Sequence, residues 1–402
     1  MSQKRHMTAK EATTRLGVSV QTLYAYVSRG LIRSEVVPGN TRKHHYLSED
    51  VIRLVERKAQ RSDPVKATQE ALHWGAPLLE SALTLITDDH LYYRGRDACA
   101  LAQTCSIEQV AALLWTESID NAGALFDGPN GASPNVSAGE IAEGKGPIAA
   151  MTIALALASE HDLAAYDLAP RNVAQTGARI LHLLTRVMTG VTEQEATIAH
   201  TMAKAWKLAP ARLLDAALIL CADHELNASS FTARVVASAE ANPYSVVSGG
   251  LAALQGARHG GNTRRVAAFL REIEQAGEVQ GVLRERLQRG DDIPGFGHRL
   301  YVEGDPRAAL LLRLLEQTGL HPDILAHAMM VSREVQRATG KAPTIDYALV
   351  TLERVLQLPP DGALALFALG RTVGWFAHAI EQYSTGELIR PRARYIGALP
   401  RT

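Results

Sequence analysis

From about Gly75 to the end of the chain, apolar residues recur at helical spacing in one segment after another, and runs of β-branched residues are few. Aromatic residues are only 5% of the chain, whereas alanine and leucine are abundant, which favours helices. The most apolar stretch, Ile148 to Ala158, is too short and too rich in alanine to cross a bilayer, so we interpret it as a buried core helix. The sequence therefore predicts an all-α fold.

Composition narrows the class of protein further. Apolar residues make up 47% and charged residues 21%, as in an ordinary globular protein, and 402 residues suffice for two or three domains. Cys99, Cys105 and Cys221 show no paired spacing, so we expect reduced thiols rather than disulfides or a zinc site. Because no apolar run follows Lys4 and Arg5, no signal peptide is predicted. These features together predict a cytoplasmic protein with no metal site and no membrane segment.

Charge is distributed unevenly along a chain that is neutral as a whole. Residues 1–65 carry 12 lysines and arginines against 6 aspartates and glutamates, whereas the whole chain has 42 of each sign. A basic N-terminal segment is typical of proteins that bind a polyanion. A solvated basic surface explains the same composition equally well, so both interpretations stay open.

This basic segment contains a helix-turn-helix pattern. Thr8 can cap a helix through "AKEATTRL", with Glu11 completing a capping box, and "GVS" separates it from a second helix, "VQTLYAYVSRG". The stretch "EVVPGNTRKHHYLS" then predicts a small hairpin, and Ser48 caps a further helix. Over residues 7–61 the sequence resembles the winged helix-turn-helix domains of the MerR type, which sets a domain at residues 1–64.

The resemblance implies that the second helix enters the major groove of DNA. The residues expected to face bases are Gln21, Thr22 and Tyr24, and those expected to meet phosphates are Arg29, Arg42 and Lys43. The alternative is a helical module used for dimer contacts or protein partners. A linker is predicted from Ser62 to about Gly75.

Polar residues interrupt the apolar helical segments at three places. His224 lies in "CADHELNASSFTAR", His259 in "LAALQGARHGGNTRRVAAFL", and His298 with Arg307 in "GFGHRLYVEGDPRA". His259 comes just before a helix, whose positive end favours the neutral imidazole. Glycine and proline in the last stretch predict a fixed loop.

Three further residues complete the set. Asp346 lies between apolar neighbours in "APTIDYALVTLERVL", so burial would raise its pKa and make it a better base. Arg371 occurs in "LGRTVGW" and Arg390 in "LIRPRARYIG". Taken singly, each residue has an ordinary explanation, such as a core histidine, a solvated arginine or a helix cap.

Taken together and in order, these segments resemble citrate synthase from about Leu83 to Ile396. The block "LYYRGRDACALAQTCSIEQVAALLWTE" is followed by "ADHELNASSFTAR", "GARHGGN", "PGFGHRLYVEGDPRA", "PTIDYAL" and "GRTVGWFAHAIEQ…IRPRARYIG". The resemblance implies large and small helical domains, with the large domain at 75–258 and 351–402 and the small domain at 259–350. It also implies a homodimer with shared active sites.

The resemblance assigns roles to individual residues. Asp346 would remove a methyl proton from the acetyl thioester, His259 would stabilise the enolate oxygen, and His298 would polarise the ketone of oxaloacetate. The residues implied to hold the carboxylates of oxaloacetate are His224, Arg307, Arg371 and Arg390, the last reaching in from the second subunit. Arginine suits this task because its planar fork matches a carboxylate.

Acetyl-CoA is implied as a co-substrate, with no tightly bound cofactor. The residues expected at the coenzyme are Gly295, Phe296, Gly297 and Arg299. At Val302 many family members carry a basic residue that can meet coenzyme phosphate, so Arg299 or Arg258 would have to supply the charge here.

Two alternatives to a citrate synthase follow from the same residues. The fused N-terminal segment fits a DNA-binding regulator whose larger part senses a metabolite or an acyl-CoA. Within the enzymes, a preference for propionyl-CoA would give 2-methylcitrate, and one methylene changes discrimination by only about 1–3 kcal/mol.

Overall fold

The computed structural model of the chain describes residues 6–37, 40–48, 50–52, 54–55, 79–87, 89–127, 137–191, 195–207, 210–393 and 395–398. These residues fall into two compact units. The first comprises residues 1–82, 86–90 and 299–302, and the second comprises 83–85, 91–298 and 303–402. The linker predicted from Ser62 to about Gly75 lies outside the described residues. The predicted division of the larger part into large and small domains stays a prediction.

The first unit begins with a strand, two helices and a hairpin. Its elements are β1 (His6–Thr8), α1 (Ala9–Leu16), α2 (Val20–Ser28), β2 (Ser34–Val37) and β3 (Asn40–Leu47). The predicted capping box of Thr8 and Glu11 is present, and Gly17, with a φ of 61°, ends α1. The sheet has the order β1–β3–β2 with antiparallel pairing, and its core comprises Ala12, Leu16, Leu23, Ile32, Tyr46 and Val51.

Helix α2 carries three of the six residues predicted to bind DNA, and a fourth, Arg29, follows its last residue. Gln21 and Arg29 are exposed, and Tyr24 is 56% exposed. Thr22 is half-buried, and its hydroxyl lies 3.0 Å from that of Ser19, the N-cap of α2. The other predicted residues, Arg42 and Lys43, lie on β3, and their side chains are outside the described part of the chain, as are residues 38 and 39 at the predicted turn.

Among the residues that the structure describes, the rest of the chain is mostly helical. The helices are α3 (Ala98–Thr104), α4 (Ile107–Thr116), α5 (Ala122–Phe126), α6 (Ala138–Ala142), α7 (Pro147–Ser159), α8 (Pro170–Thr189), α9 (Ile198–Trp206), α10 (Ala211–Cys221), α11 (Ala228–Ser238), α12 (Pro243–Leu254), α13 (Asn262–Ala276), α14 (Val279–Arg289), α15 (Pro306–Gln317), α16 (Pro322–Thr339), α17 (Ile345–Val355) and α18 (Gly362–Thr385). The predicted core helix over residues 148–158 is α7.

The all-α prediction is too narrow in one respect, because a second small sheet precedes α3. It consists of β4 (Thr84–Thr87), β5 (His90–Tyr93) and β6 (Arg96–Asp97), in the order β4–β5–β6. The residues of β4 and β5 are largely β-branched and aromatic, which favours strands, but the segments are too short to stand out in a helical sequence.

Helix α18 forms the centre of the second unit. It is long and apolar enough to cross a membrane by length and composition, and its apolar window is entirely buried inside the protein. It packs against α8, α10, α11 and α12. Two glycines let α18 approach the end of α10: a Cβ at Gly370 would lie 2.5 Å from the carbonyl oxygen of Leu218, and one at Gly374 would lie 2.3 Å from that of Ala222. This close approach brings residues of α18 to the turn that follows α10.

Candidate active site

The three predicted histidines all lie in turns where helices of the second unit end or begin. His224 lies between α10 and α11, His259 lies between α12 and α13, and His298 lies in the loop before α15. The imidazole rings of His224 and His298 are 5.3 Å apart between centroids, at an interplanar angle of 72°. Residues that are 74 positions apart in sequence thus meet at one place.

All three imidazoles are held in the neutral form. Burial, followed by the charge of Arg307, lowers the pKa of His298 to about 4. Burial and the charge of Arg371 lower the pKa of His259 to about 3, so burial accounts for the neutral state that the sequence attributed to a helix dipole. Burial, then Arg307, His298 and Arg371, hold the pKa of His224 well below its usual range.

Arg371 is a buried cation with an open hydrogen-bonding position. It lies on α18, is 1% exposed, and its Nε donates to the carbonyl oxygen of Cys221 at 2.7 Å. Its guanidinium carbon lies 5.0 Å from the ring centroid of Phe367. Within the described part of the chain its Nη2 is buried without a hydrogen-bond partner. A buried donor of this kind is costly unless something accepts from it, so a ligand carboxylate fits the position.

Arg307 is held by a neighbouring carboxylate. Its Nε and Nη2 donate to the two carboxylate oxygens of Asp305 at 2.9 and 2.8 Å, and both side chains are buried. Asp305 Oδ2 also accepts from the backbone N–H of Ile345, the first residue of α17, at 2.9 Å. Although burial alone raises the pKa of the Asp305 carboxyl, Arg307 lowers it below its usual range. Asp305 therefore ties Arg307 to the start of the helix that carries Asp346.

Asp346 lies in the first turn of α17. One carboxylate oxygen, Oδ2, accepts from the hydroxyl of Thr344 at 3.3 Å, and Oδ1 is buried without a partner among the described residues. Burial raises the pKa of Asp346 to about 6, against the lowering effect of a hydrogen bond from Asn262 and the charge of Arg307. The carboxylate is thus a stronger base than an exposed aspartate.

The backbone joins the loop of His298 to the segment that leads into α17. Gly297 N donates to the carbonyl oxygen of Ala342 at 2.9 Å, and Thr344 N donates to that of Gly295 at 2.8 Å. Gly295 and Gly297 have φ values of 85° and 80°, which disfavour any residue with a side chain. A Cβ at Gly295 would also lie 2.8 Å from Val266. Local geometry therefore explains these glycines without a coenzyme.

His259 is oriented by a short hydrogen-bonded chain that sequence reasoning missed. Its Nε2 lies 2.8 Å from the hydroxyl of Ser229, which also accepts from Trp375 Nε1 at 3.1 Å. The Ser229 hydroxyl donates to Asn227 Oδ1 at 2.8 Å, and this oxygen also accepts from the backbone N–H groups of Ser229 and Ser230. Asn227 is also the N-cap of α11, and a capping pattern in the sequence gives no signal for this second use.

Arg390 is exposed on the segment after α18 and is not brought into this cluster within the single chain. Arg299 belongs to the first compact unit, and its place at the coenzyme stays a prediction. Phe296 is next to the cluster, but its side chain is buried against Tyr347, with ring centroids 4.7 Å apart. Within the described residues, no group of three His, Cys, Asp or Glu side chains is arranged to hold a metal ion.

Known proteins are similar to this chain in both sequence and fold. Residues 71–392 match the family described as citrate synthase, C-terminal domain. A citrate synthase of Haloferax volcanii is 31% identical over 357 residues, covering 80% of this chain and 94% of that protein. A 2-methylcitrate synthase of Mycobacterium tuberculosis is 29% identical over 334 residues, covering 76% and 84%. Mycobacterial relatives whose name includes citrate synthase 2 are 37% identical over 194 residues, so the chain spans about half of their length.

The fold comparison agrees with the sequence. The structure of a citrate synthase from Thermoplasma acidophilum, solved as a ternary complex with carboxymethyl coenzyme A and oxaloacetate, matches with a TM-score of 0.71 and 24% sequence identity. The match covers 83% of this chain and 97% of that chain. Because a family match covers most of the sequence and includes the whole cluster of buried histidines, arginines and Asp346, this chain belongs to the citrate synthase family.

Proposed function

We propose that this protein condenses a short acyl-CoA, in the first place acetyl-CoA, with oxaloacetate to give citrate and free CoA. The observation that carries the proposal is a pair of open buried atoms in one cluster, Arg371 Nη2 and Asp346 Oδ1. The first is a donor suited to a carboxylate, and the second is an acceptor suited to a proton. Neutral imidazoles lie around them, so the cluster can bind a dianion and also take up a proton.

The oxo-acid would be held at the arginines. Arg307 and Arg371 supply fixed positive charge, and His224 and His298 supply neutral rings that can donate one hydrogen bond each. His298 would donate to the ketone oxygen and make the ketone carbon more electrophilic. A neutral imidazole can do this without placing a third full charge beside the two arginines.

The acyl thioester would be activated at Asp346 and His259. Asp346 would take a proton from the methyl carbon next to the thioester, while His259 donates a hydrogen bond to the carbonyl oxygen that becomes the enolate. In the structure Ser229 donates its one hydroxyl proton to Asn227 Oδ1 at 2.8 Å, and His259 Nε2 lies 2.8 Å from the same hydroxyl. For the proton of the neutral imidazole to be on Nδ1, where it can be donated, the Ser229 hydroxyl would turn from Asn227 to donate to Nε2.

The enolate carbon would attack the ketone carbon, forming one carbon–carbon bond, and the ketone oxygen would take up a proton. Water would then hydrolyse the citryl thioester, releasing citrate and the CoA thiol. Citrate synthases use CoA-derived substrates without a tightly bound cofactor. For the coenzyme, we propose contacts with the backbone of Gly295, Phe296 and Gly297 and with Arg299.

The test is release of free thiol from acetyl-CoA in the presence and absence of oxaloacetate. Thiol release that requires oxaloacetate supports the proposal. A higher kcat/KM with propionyl-CoA would instead make the protein a 2-methylcitrate synthase, the activity in the name of one relative. No turnover with either acyl-CoA contradicts the enzyme function.

The proposal includes a homodimer with a shared site. Arg390 is exposed in the single chain, and the same terminal segment exposes Leu388 and Tyr395, which are 60% and 71% exposed. Large exposed apolar side chains of this kind indicate a protein contact. Mixing Arg390→Ala subunits with Asp346→Ala subunits should restore part of the activity, because one mixed site then carries both intact residues. Mixed dimers no more active than either parent would contradict the shared site.

A DNA-binding regulator is the second candidate function, and the exposed face of α2 favours it. Gln21, Tyr24 and Arg29 are all exposed on or next to this helix, in the segment with an excess of basic residues. The test is binding of duplex DNA at low salt, where phosphate contacts are strongest. Binding that weakens in an Arg29→Ala variant supports the regulator, and no binding at low salt contradicts it. A cytoplasmic location stays part of both proposals.

A further inference from the structure

Two buried ionisable residues lie directly behind the proposed oxo-acid site, and the proposed chemistry does not use them. Asp223 precedes His224 in the turn after α10, and His378 lies on α18, two turns beyond Arg371. Both side chains are 0% exposed, and His378 Nε2 lies 3.2 Å from Asp223 Oδ1. A fully buried carboxylate is expensive to desolvate and rarely adds stability even with a hydrogen-bonding partner, so its presence calls for a role in positioning or specificity.

The carboxylate of Asp223 is held from several elements at once. Its Oδ2 accepts from the hydroxyl of Thr84 on β4 at 2.5 Å, and its Oδ1 lies 3.4 Å from the hydroxyl of Ser230 on α11. Its backbone N–H donates to the hydroxyl of Tyr93 at 3.2 Å. Although burial alone raises the pKa of Asp223, His378, Arg371 and the Thr84 hydroxyl lower it below its usual range, so the carboxylate is charged.

The turn that Asp223 anchors is strained at its exit. Glu225, the residue after His224, has a φ of 52°, a conformation that residues with a side chain rarely adopt. Such a conformation persists only where the surroundings hold the backbone in place. On the other side of the turn, the carbonyl oxygen of Cys221 accepts from Arg371 Nε at 2.7 Å. The backbone of His224 is therefore fixed between Asp223 and a strained residue, and Arg371 is bound to the same turn.

We infer that Asp223 and His378 are a positioning pair that holds His224 and Arg371 in place for the oxo-acid. This inference rests on the proposed function. Asp223 also provides the buried negative charge that balances Arg371 before a substrate carboxylate arrives. Asp346 and His259 contact Thr344 and Ser229 directly, whereas Asp223 is linked to Ser229 through Ser230 and Asn227. Loss of the pair should therefore act more strongly on the oxo-acid than on the thioester.

The first experiment measures the KM values of oxaloacetate and acetyl-CoA, kcat, and the melting temperature for His378→Leu and His378→Gln. Glutamine keeps a donor near the position of Nε2 and leucine does not. For His378→Leu we expect the KM of oxaloacetate to rise about tenfold, because a hydrogen bond to the Asp223 carboxylate is lost. The KM of acetyl-CoA should rise less than about twofold. In His378→Gln the KM of oxaloacetate should be close to that of the wild type. Equal effects of both variants, or parallel changes in both KM values, overturn the inference.

A second variant covers the case in which His378→Leu does not fold. Thr84→Val removes only the hydroxyl that donates to Asp223 Oδ2, at similar side-chain volume, and should raise the KM of oxaloacetate severalfold. Thr185→Val is the matched control, because the Thr185 hydroxyl donates within α8 to Leu181 and not to this pair. An unchanged KM of oxaloacetate in Thr84→Val overturns the inference.

Direct binding of oxaloacetate by calorimetry separates this inference from the proposed function. A wild-type protein that binds oxaloacetate but releases no thiol contradicts the enzyme function alone. The positioning role is then tested by the dissociation constant of oxaloacetate, which should rise in both Thr84→Val and His378→Leu. A wild-type protein that neither binds nor reacts contradicts the proposed function and the positioning role together.

Discussion

The buried carboxylates in the two halves of the candidate site have pKa values shifted in opposite directions. On the oxo-acid side, Asp305 is held by Arg307 and Asp223 by His378 and Arg371, and these neighbours keep the pKa of both carboxyls low despite burial. On the thioester side, Asp346 has a raised pKa and one oxygen without a partner in the described structure. Paired charges hold their geometry and their ionisation state, which suits binding, whereas a destabilised carboxylate suits proton transfer. The difference indicates which residues bind and which react.

The largest expected effect is on the reactive half. Asp346→Asn should lower kcat by about 10³-fold, because an amide cannot accept the methyl proton, while oxaloacetate still binds with nearly wild-type affinity. Steady-state kinetics measure the loss of kcat, and calorimetry measures the affinity for oxaloacetate. Asp323→Asn, at an exposed carboxylate in the first turn of α16, is the control. Equal loss of kcat and of oxaloacetate affinity would remove the distinction between the halves.

A change in the binding half should have a smaller effect of a different kind. Arg371→Lys keeps the charge but loses the planar fork, so the KM of oxaloacetate should rise by about 10- to 100-fold with a smaller change in kcat. The same steady-state assay measures it, and Arg333→Lys, on the exposed face of α16, should leave the KM unchanged. A loss confined to kcat would place Arg371 on the reactive side.

Asp346 and His298, one from each half, should also respond to pH with opposite sign. Asp346 has a folded pKa of about 6, above its ordinary value, so the folded protein binds the extra proton and this group costs stability as pH rises from about 4 to 6. His298 has a folded pKa of about 4, below its ordinary value, so stability is lost as pH falls below about 6.5. His298→Gln should therefore reduce the loss of unfolding free energy between pH 6.5 and 4 by about 2 kcal/mol, as measured by urea denaturation.

The matching change at Asp346 sharpens this test. Asp346→Asn should raise the unfolding free energy at pH 7 and have little effect near pH 4, where the wild-type carboxyl is protonated as well. If the unfolding free energy depends on pH in the same way in both variants and in the wild type, neither group titrates as its burial implies.

The smallest expected effect concerns the orientation of His259. Ser229→Ala removes the hydroxyl at His259 Nε2 and should lower kcat by about tenfold without raising the KM of oxaloacetate. Steady-state kinetics with Ser384→Ala as control, a serine that bonds only within α18, checks this prediction. A raised KM of oxaloacetate would mean that Ser229 serves both halves.

The sequence by itself predicted a mostly helical chain, and helical periodicity carries that information locally. It also predicted the capping box of Thr8 and Glu11, which needs only neighbouring residues. The order of the motifs around His224, His259, His298 and Asp346 was enough for the resemblance to the family. Short strands such as β4 were missed because a few β-branched residues have little weight beside long helices.

Only the tertiary structure decided which of these residues meet and in what state. His378 looked like one more residue of an apolar helix, and its contact with Asp223 depends on the close approach of α18 to the end of α10 at Gly370 and Gly374. The neutral state of His259 and the raised pKa of Asp346 come mainly from burial, which is a property of packing. Residue types and order are written in the chain, whereas desolvation and pairing exist only once distant segments exclude water together.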